Sequence, residues 1–307
     1  MMRSILLAMS EHEWLRRNAP KIGFVRRAVR RFMPGEELEA ALGATRELQA
    51  EKVGTVLTQL GENLTQPEDA DKVREHYLEV YERIRSGGLD AEISVKPTQL
   101  GLDFSTEACD RNLDALARRA RELGNWLWID MEGTPYLERT LDLYRRLRAR
   151  YDNVGVCVQA YLYRTADDLK ALLPLGANIR LVKGAYREPP DKAFPRKRDV
   201  DRNYLQLAET LLEAQQRSGI RAIFGTHDGK LIRQIEERAR AMGLPANRLE
   251  FQMLYGIQRE EQKRLARAGY AFRVLISYGS AWYAWYMRRL AERPANVWFV
   301  VRSLFSR

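Results

Sequence analysis

Charged and amide side chains stand in this 307-residue chain where hydrophobic runs come to an end. Lys96 follows Ala91–Val95, Asp130 follows Trp126–Ile129, Gln159 closes Val154–Val158, and Arg180 and Lys183 interrupt Ile179–Gly184. Thr226, His227 and Asp228 come together after Phe224-Gly225, and Gln252 sits within Leu249–Leu254. A charge beside an apolar run is costly to bury unless it is paired. Lys96 and Asp130 are therefore read as partners at the ends of neighbouring strands, each holding the other ionised. Arg288 and Arg289 offer two planar donor forks that suit a carboxylate. They point about 100° apart on a helix, yet both are long enough to converge on one anion. Gly184 and Ala185 leave backbone room for a flat ring beside two basic residues. Of the three histidines only His227 lies in such a group. No second or third ligand accompanies it, so no metal site is expected. Neither a G-x-G-x-x-G turn nor a P-loop occurs.

The elements that would position these residues follow from periodicity. Eight nearly continuous apolar runs recur: Val53–Leu60, Ala91–Lys96, Trp126–Met131, Val154–Ala160, Ile179–Gly184, Arg221–Gly225, Leu249–Leu254 and Phe272–Ser277. Runs of this kind read as strands buried on both faces. Helical stripes lie between them, such as Leu113, Leu116, Ala117 and Ala120, or Leu231, Ile235 and Ala239. Eight strand-then-helix units predict an α/β fold, a (β/α)8 TIM-like barrel with its active site at the C-terminal ends of the strands. Residues 1–50 are expected as an N-terminal helical arm, with a helix over Glu36–Ala50, and residues 51–307 as the catalytic barrel. Past Pro294 a last amphipathic piece is expected over Asn296–Phe305.

Composition sets limits on function. Hydrophobic residues make up 45% of the chain, enough for a large core, and the net charge is +10. Such a charge suits nucleic acid, an anionic membrane surface or an anionic cofactor. The arginines are spread through helical segments without a basic tract, so a solvated helical surface is the reading and no nucleic-acid partner is expected. Cys109 and Cys157 are the only cysteines and imply no disulfide framework. The apolar stretch Ile5–Met9 is too short for a signal core or a membrane span. A cytoplasmic protein is expected, in free solution or attached peripherally at the inner face of a membrane, with a homo-oligomer allowed.

Seven stretches, ISVKPTQLGL, WIDMEG, VQAYLYRT, IRLVKGAYREP, FGTHD, EFQMLYG and YMRRLAERPAN, fall on consecutive units and resemble the proline dehydrogenase family. The resemblance runs from about Glu51 to the end of the chain. It implies a distorted barrel, non-covalent FAD, and oxidation of L-proline to Δ1-pyrroline-5-carboxylate with a membrane quinone as electron acceptor. It also implies roles. Lys96, Asp130 and Arg180 line the reacting centre. Lys96, Tyr186, Leu254, Arg288 and Arg289 bind substrate, the two arginines on the proline carboxylate. Glu62 pairs with Arg288 as a gate. The flavin is held by Asp130, Met131, Gln159, Arg180, Val182, Lys183, Gly184, Ala185, Thr226, His227, Gln252 and Glu292. Whether Lys96, Asp130 or solvent takes the amine proton stays open, as does proline against 4-hydroxyproline. The chain departs from the family where Gly133 stands for an acidic residue and where Ser277 and Ala284 stand for prolines. These departures bear on local rigidity.

Overall fold

In the computed structural model of the chain, each apolar run becomes a strand: β1 (Gly54–Gln59), β2 (Ala91–Val95), β3 (Leu127–Ile129), β4 (Val154–Gln159), β5 (Asn178–Val182), β6 (Ala222–Gly225), β7 (Glu250–Leu254) and β8 (Ala271–Tyr278). The structure describes residues 29–61 and 66–292, together with His12, Trp14, Asn18 and Leu64. Each strand pairs in parallel with the next, and β8 pairs back onto β1, which closes the barrel. The expected Asn296–Phe305 piece lies outside the described residues.

The helices are α1 (Leu38–Ala50), α2 (Glu68–Ser86), α3 (Thr106–Glu122), α4 (Thr134–Arg148), α5 (Thr165–Leu172), α6 (Lys197–Ser218), α7 (Gly229–Ala241), α8 (Arg259–Arg267) and α9 (Trp282–Glu292). Their apolar stripes face the sheet. On α3 the buried apolar positions are Cys109, Leu113, Leu116, Ala117 and Ala120, and the Ser105 hydroxyl accepts from the Ala108 amide at 3.2 Å to cap its start. On α7 they are Leu231, Ile232, Ile235 and Ala239.

Two helices depart from a regular barrel. α1 packs on both β1 and β8, and Ala41, Leu42 and Ala44 belong to the barrel's main core. It therefore stands in the outer ring where the helix after β8 would otherwise lie. α9 joins a second apolar cluster with Val29, Phe32, Met33 and Leu60, edged by Ile257. Leu60 follows β1 and Ile257 follows β7, so this cluster sits at the strands' C-terminal end. Trp282 Nε1 donates to Glu36 Oε1 at 3.1 Å and ties α9 to the segment before α1.

The N-terminal end of the barrel interior is filled by charge. Arg221 bonds Glu250 at 2.7 Å and Glu92 at 2.8 Å, and Arg273 bonds Glu92 at 3.2 Å and Asp90 at 2.7 Å. Burial opposes the Arg221 charge, but Glu250 and Glu92 outweigh it and raise its pKa. Glu250 is buried too, yet Arg221 and Arg273 hold its pKa down. Glu92 Oε2 also accepts from Trp128 Nε1 at 2.7 Å. The Trp128 ring lies flat against β4 at Gly155, where a Cβ would come within 2.2 Å of the indole. Gly155→Ala should therefore destabilise the protein by about 1–3 kcal/mol, the cost of overpacking a filled core. Urea unfolding of variant and wild type checks this, and equal midpoints would refute it.

Candidate active site

Arg180 on β5 is the deepest of the expected site residues, 2% exposed. A guanidinium in that position needs a carboxylate, and Asp130, just after β3, forms the ion pair. Ser94 on β2 completes the group. Its hydroxyl accepts from Arg180 Nη2 at 2.8 Å and donates to Asp130 Oδ1 at 2.8 Å. Burial works against the Arg180 charge, but the Asp130 charge prevails and raises its pKa. The Arg180 guanidinium carbon lies 5.6 Å from the Trp128 ring centroid, so the indole supports it from the ionic layer.

This arrangement corrects the expected Lys96–Asp130 pair. Asp130 takes the arginine that reaches it from β5, whose buried fork has the stronger need of a counter-ion. Lys96 is only 8% exposed and makes no ion pair with any described residue. Ser94 was not singled out in the sequence. The two-residue period of a strand places Glu92, Ser94 and Lys96 on one face of β2, and that periodicity was the signal available.

Above the pair stands a rim of polar groups. Gln159 Nε2 donates to the Met131 carbonyl at 3.1 Å, while its Oε1 has no partner. Gln252 Oε1 and Arg180 Nη1 are likewise buried without a hydrogen bond, and Gln252 Nε2 donates to Glu250 Oε1 at 3.4 Å. Buried polar atoms are almost always satisfied; these three, on β4, β5 and β7, would offer partners to a polar ligand. Val182, Ala185, Tyr186 and Leu254 are half-buried at the strand ends. Gly184 has φ 107° and packs its Cα on the Tyr161 ring, where a Cβ would fall 2.1 Å from Cδ1. No side chain is tolerated there, and the strand end stays flat.

The remaining rim residues are held by neighbours. His227 Nε2 accepts from the Leu254 amide at 2.8 Å, which puts the imidazole proton on Nδ1. Thr226 Oγ1 accepts from the Asp228 amide at 3.2 Å. Lys183 bonds Asp201 at 2.5 Å and Asp228 at 3.0 Å, and Lys197 bonds the same two aspartates. Its ammonium is thus neutralised by two carboxylates, a setting the sequence did not disclose. Glu132, next to Met131, accepts from the Thr98 amide at 3.0 Å and its hydroxyl at 2.7 Å, fastening the β3 loop to the β2 loop. Glu62 lies outside the described residues. Arg288, Arg289 and Glu292 fall on α9, at the mouth, but their side chains lie outside the description as well.

A buried guanidinium–carboxylate pair under unsatisfied amide and guanidinium atoms can bind a flat heteroaromatic ring rich in donors and acceptors. The sequence model of one family, described as "Proline dehydrogenase", matches residues 41–302. "Proline dehydrogenase 1" of Bacillus subtilis subsp. natto is 36% identical over 307 residues, covering 100% of both chains. "Proline dehydrogenase" of Deinococcus radiodurans is 36% identical over 279 residues, 89% of each chain. Among solved structures, proline utilization A from Bdellovibrio bacteriovorus, inactivated by N-propargylglycine, aligns with a TM-score of 0.81 at 26% identity. That alignment covers 87% of this chain but 33% of the other, so this chain spans about a third of that protein's length.

The lysine–aspartate group at the rim has a pH signature. Burial would raise the Asp228 pKa, but the hydrogen bond and charge of Lys183, with those of Lys197, bring it from 3.8 down to about 2. A depressed carboxylate stabilises the fold above its unfolded pKa and loses that contribution as pH falls through the folded value. Asp228→Asn should therefore be less stable than wild type near neutral pH. The gap should close as pH falls below about 4. Urea titrations across that range check it, and a pH-independent gap would refute the assignment.

Proposed function

This chain belongs to the proline dehydrogenase family, and on that premise we propose that it oxidises L-proline to Δ1-pyrroline-5-carboxylate with FAD held non-covalently at the barrel mouth. The observation that carries this reading is the buried Arg180–Asp130–Ser94 group beneath the unsatisfied atoms of Arg180, Gln159 and Gln252. When bound, FAD supplies a two-electron acceptor for the hydride equivalent leaving the ring carbon beside the amine.

The protein's part is binding and placement. Arg180, Gln159 and Gln252 offer the flavin ring one cationic donor and two amides. Gly184 and Ala185 give it a flat strand end, and Val182 and Met131 flank it. Thr226, His227, Lys183 and Glu292 extend the contacts along the cofactor, and Asp130 keeps Arg180 oriented. Arg288 and Arg289 receive the substrate carboxylate, which orients the proline ring and converts binding into positioning. Tyr186 and Leu254 wall the ring and exclude water, and Lys96 at the end of β2 binds the substrate with them. Glu62 closes over the substrate by pairing with Arg288. The substrate amine must be neutral for the C–H bond to yield its electrons.

Reoxidation by a membrane quinone completes the reading. No helix among the described residues is long and apolar enough to cross a membrane. The net charge of +10 favours contact with an anionic surface.

Two measurements test this function. The purified protein should be yellow, release FAD on acid or heat treatment, and bleach when L-proline is added without oxygen. FMN, or no flavin in a folded and reconstituted sample, would sink the proposal. Arg288→Met and Arg289→Met should each raise KM for proline strongly while keeping flavin. The lost charge-assisted hydrogen bond is worth about 1.5–3 kcal/mol, or roughly 10–150-fold. Wild-type kinetics in both variants would exclude the carboxylate role.

A further inference from the structure

The loop joining β5 to α6, residues 183–196, begins with Lys183, Gly184, Ala185 and Tyr186 and must then cross back to the outer ring. Its far half is strapped to the loop after β4. The Tyr163 amide donates to the Lys192 carbonyl at 3.1 Å, the Phe194 amide donates to the Tyr161 carbonyl at 2.8 Å, and Leu162 and Ala193 form an antiparallel bridge. In its middle the Tyr163 hydroxyl donates to the Pro190 carbonyl at 3.2 Å, and the half-buried Glu188 side chain makes the contacts to other loops. Glu188 Oε1 accepts from the Thr134 amide at 2.9 Å, and Oε2 accepts from the Thr134 hydroxyl at 2.5 Å. The Tyr161 hydroxyl adds a longer contact to Oε1 at 3.4 Å.

Thr134 is the first residue of α4, and the residue before it, Gly133, has no side chain with which to cap the helix. A free amide and a positive dipole end therefore meet a carboxylate from a different loop. The Tyr161 ring that reaches Glu188 is the same ring on which Gly184 packs. One carboxylate thus links the loops after β3, β4 and β5. Pro189 and Pro190 follow Glu188 directly. Proline restricts both itself and the residue before it, so the Glu188–Pro190 segment is stiff and moves with its carboxylate.

We propose that Glu188 is a positioning residue, a latch that sets the β5–α6 loop on the N-terminus of α4 and thereby places Tyr186 against the substrate. The significance of that placement rests on the function proposed above.

The experiment compares Glu188→Ala, Glu188→Gln, Thr134→Val and the Thr134→Val/Glu188→Ala double variant, each loaded with FAD. The readouts are steady-state kinetics with L-proline and the rate of tryptic cleavage after Lys192, within the strapped half of the loop. Glu188→Ala should raise KM about tenfold, with a smaller change in kcat, as expected when a wall of the substrate site is displaced and ground-state binding weakens. Cleavage after Lys192 should quicken by about the same factor, on the scale of one lost charge-assisted hydrogen bond. Glu188→Gln, which can still bond Thr134, should return both values most of the way to wild type. Adding Thr134→Val to Glu188→Ala should change neither further, because the two remove one interaction. Wild-type KM and wild-type cleavage in Glu188→Ala, whatever its melting temperature, would reduce Glu188 to a helix cap and overturn the proposal. Additive effects in the double variant would overturn it too. Should the wild type fail to oxidise proline, the proposed function falls, while the cleavage rates still decide the latch.

Discussion

Arg221 and Arg273 meet Glu92 and Glu250 inside the N-terminal end of the barrel, and the groups above them depend on this buried set of charges. Well-packed apolar side chains could match its stability, because buried ions lose much hydration. Ions differ from hydrocarbon in fixing direction. Glu92 is engaged by two arginines and still accepts from Trp128, so the indole has one orientation. Trp128 then fills the space that Gly155 leaves and supports the Arg180 guanidinium, which pairs with Asp130. Orientation passes up the axis from layer to layer and ends at the rim of the mouth.

The mouth has a different kind of support. A regular barrel would place the helix after β8 in the outer ring, but α1 holds that position and α9 is free to lie at the C-terminal end. The cluster around Phe32, Trp282 and Tyr286 is separate from the barrel core, with Phe32 and Tyr286 ring centroids 6.0 Å apart. The helix that carries Arg288 and Arg289 therefore packs on its own small core.

The fold was legible because it is written locally. A strand buried on both faces is a continuous apolar run, and all eight runs are strands, shifted by a residue or two at their ends. The polar residues on the strands were equally plain, and Arg180, Gln159 and Gln252 are all buried on β5, β4 and β7. Partnerships across the barrel were not legible. Asp130 is adjacent in sequence order to the Lys96 strand, yet it pairs with Arg180 from two strands further on. No local pattern states which strands face each other across the axis or how far each side chain reaches. Ser94 and Glu188 escaped notice for the same reason, since an ordinary serine in a strand and an acid before two prolines acquire meaning from what lies opposite them. The flavin and proline roles came from resemblance, which periodicity could not supply.

The position of α1 bears on how the chain reaches this state. The seam between β1 and β8 joins residues distant in sequence; Arg273 donates to the Thr55 carbonyl across 218 positions. Closing so long a loop costs chain entropy before any contact repays it. α1 is made before any strand, but one side of its docking surface is β8, which is made last. Its apolar face has no complete partner until the barrel shuts. Closure of the β1–β8 seam, the longest strand pairing in the barrel, therefore also completes the surface on which α1 docks.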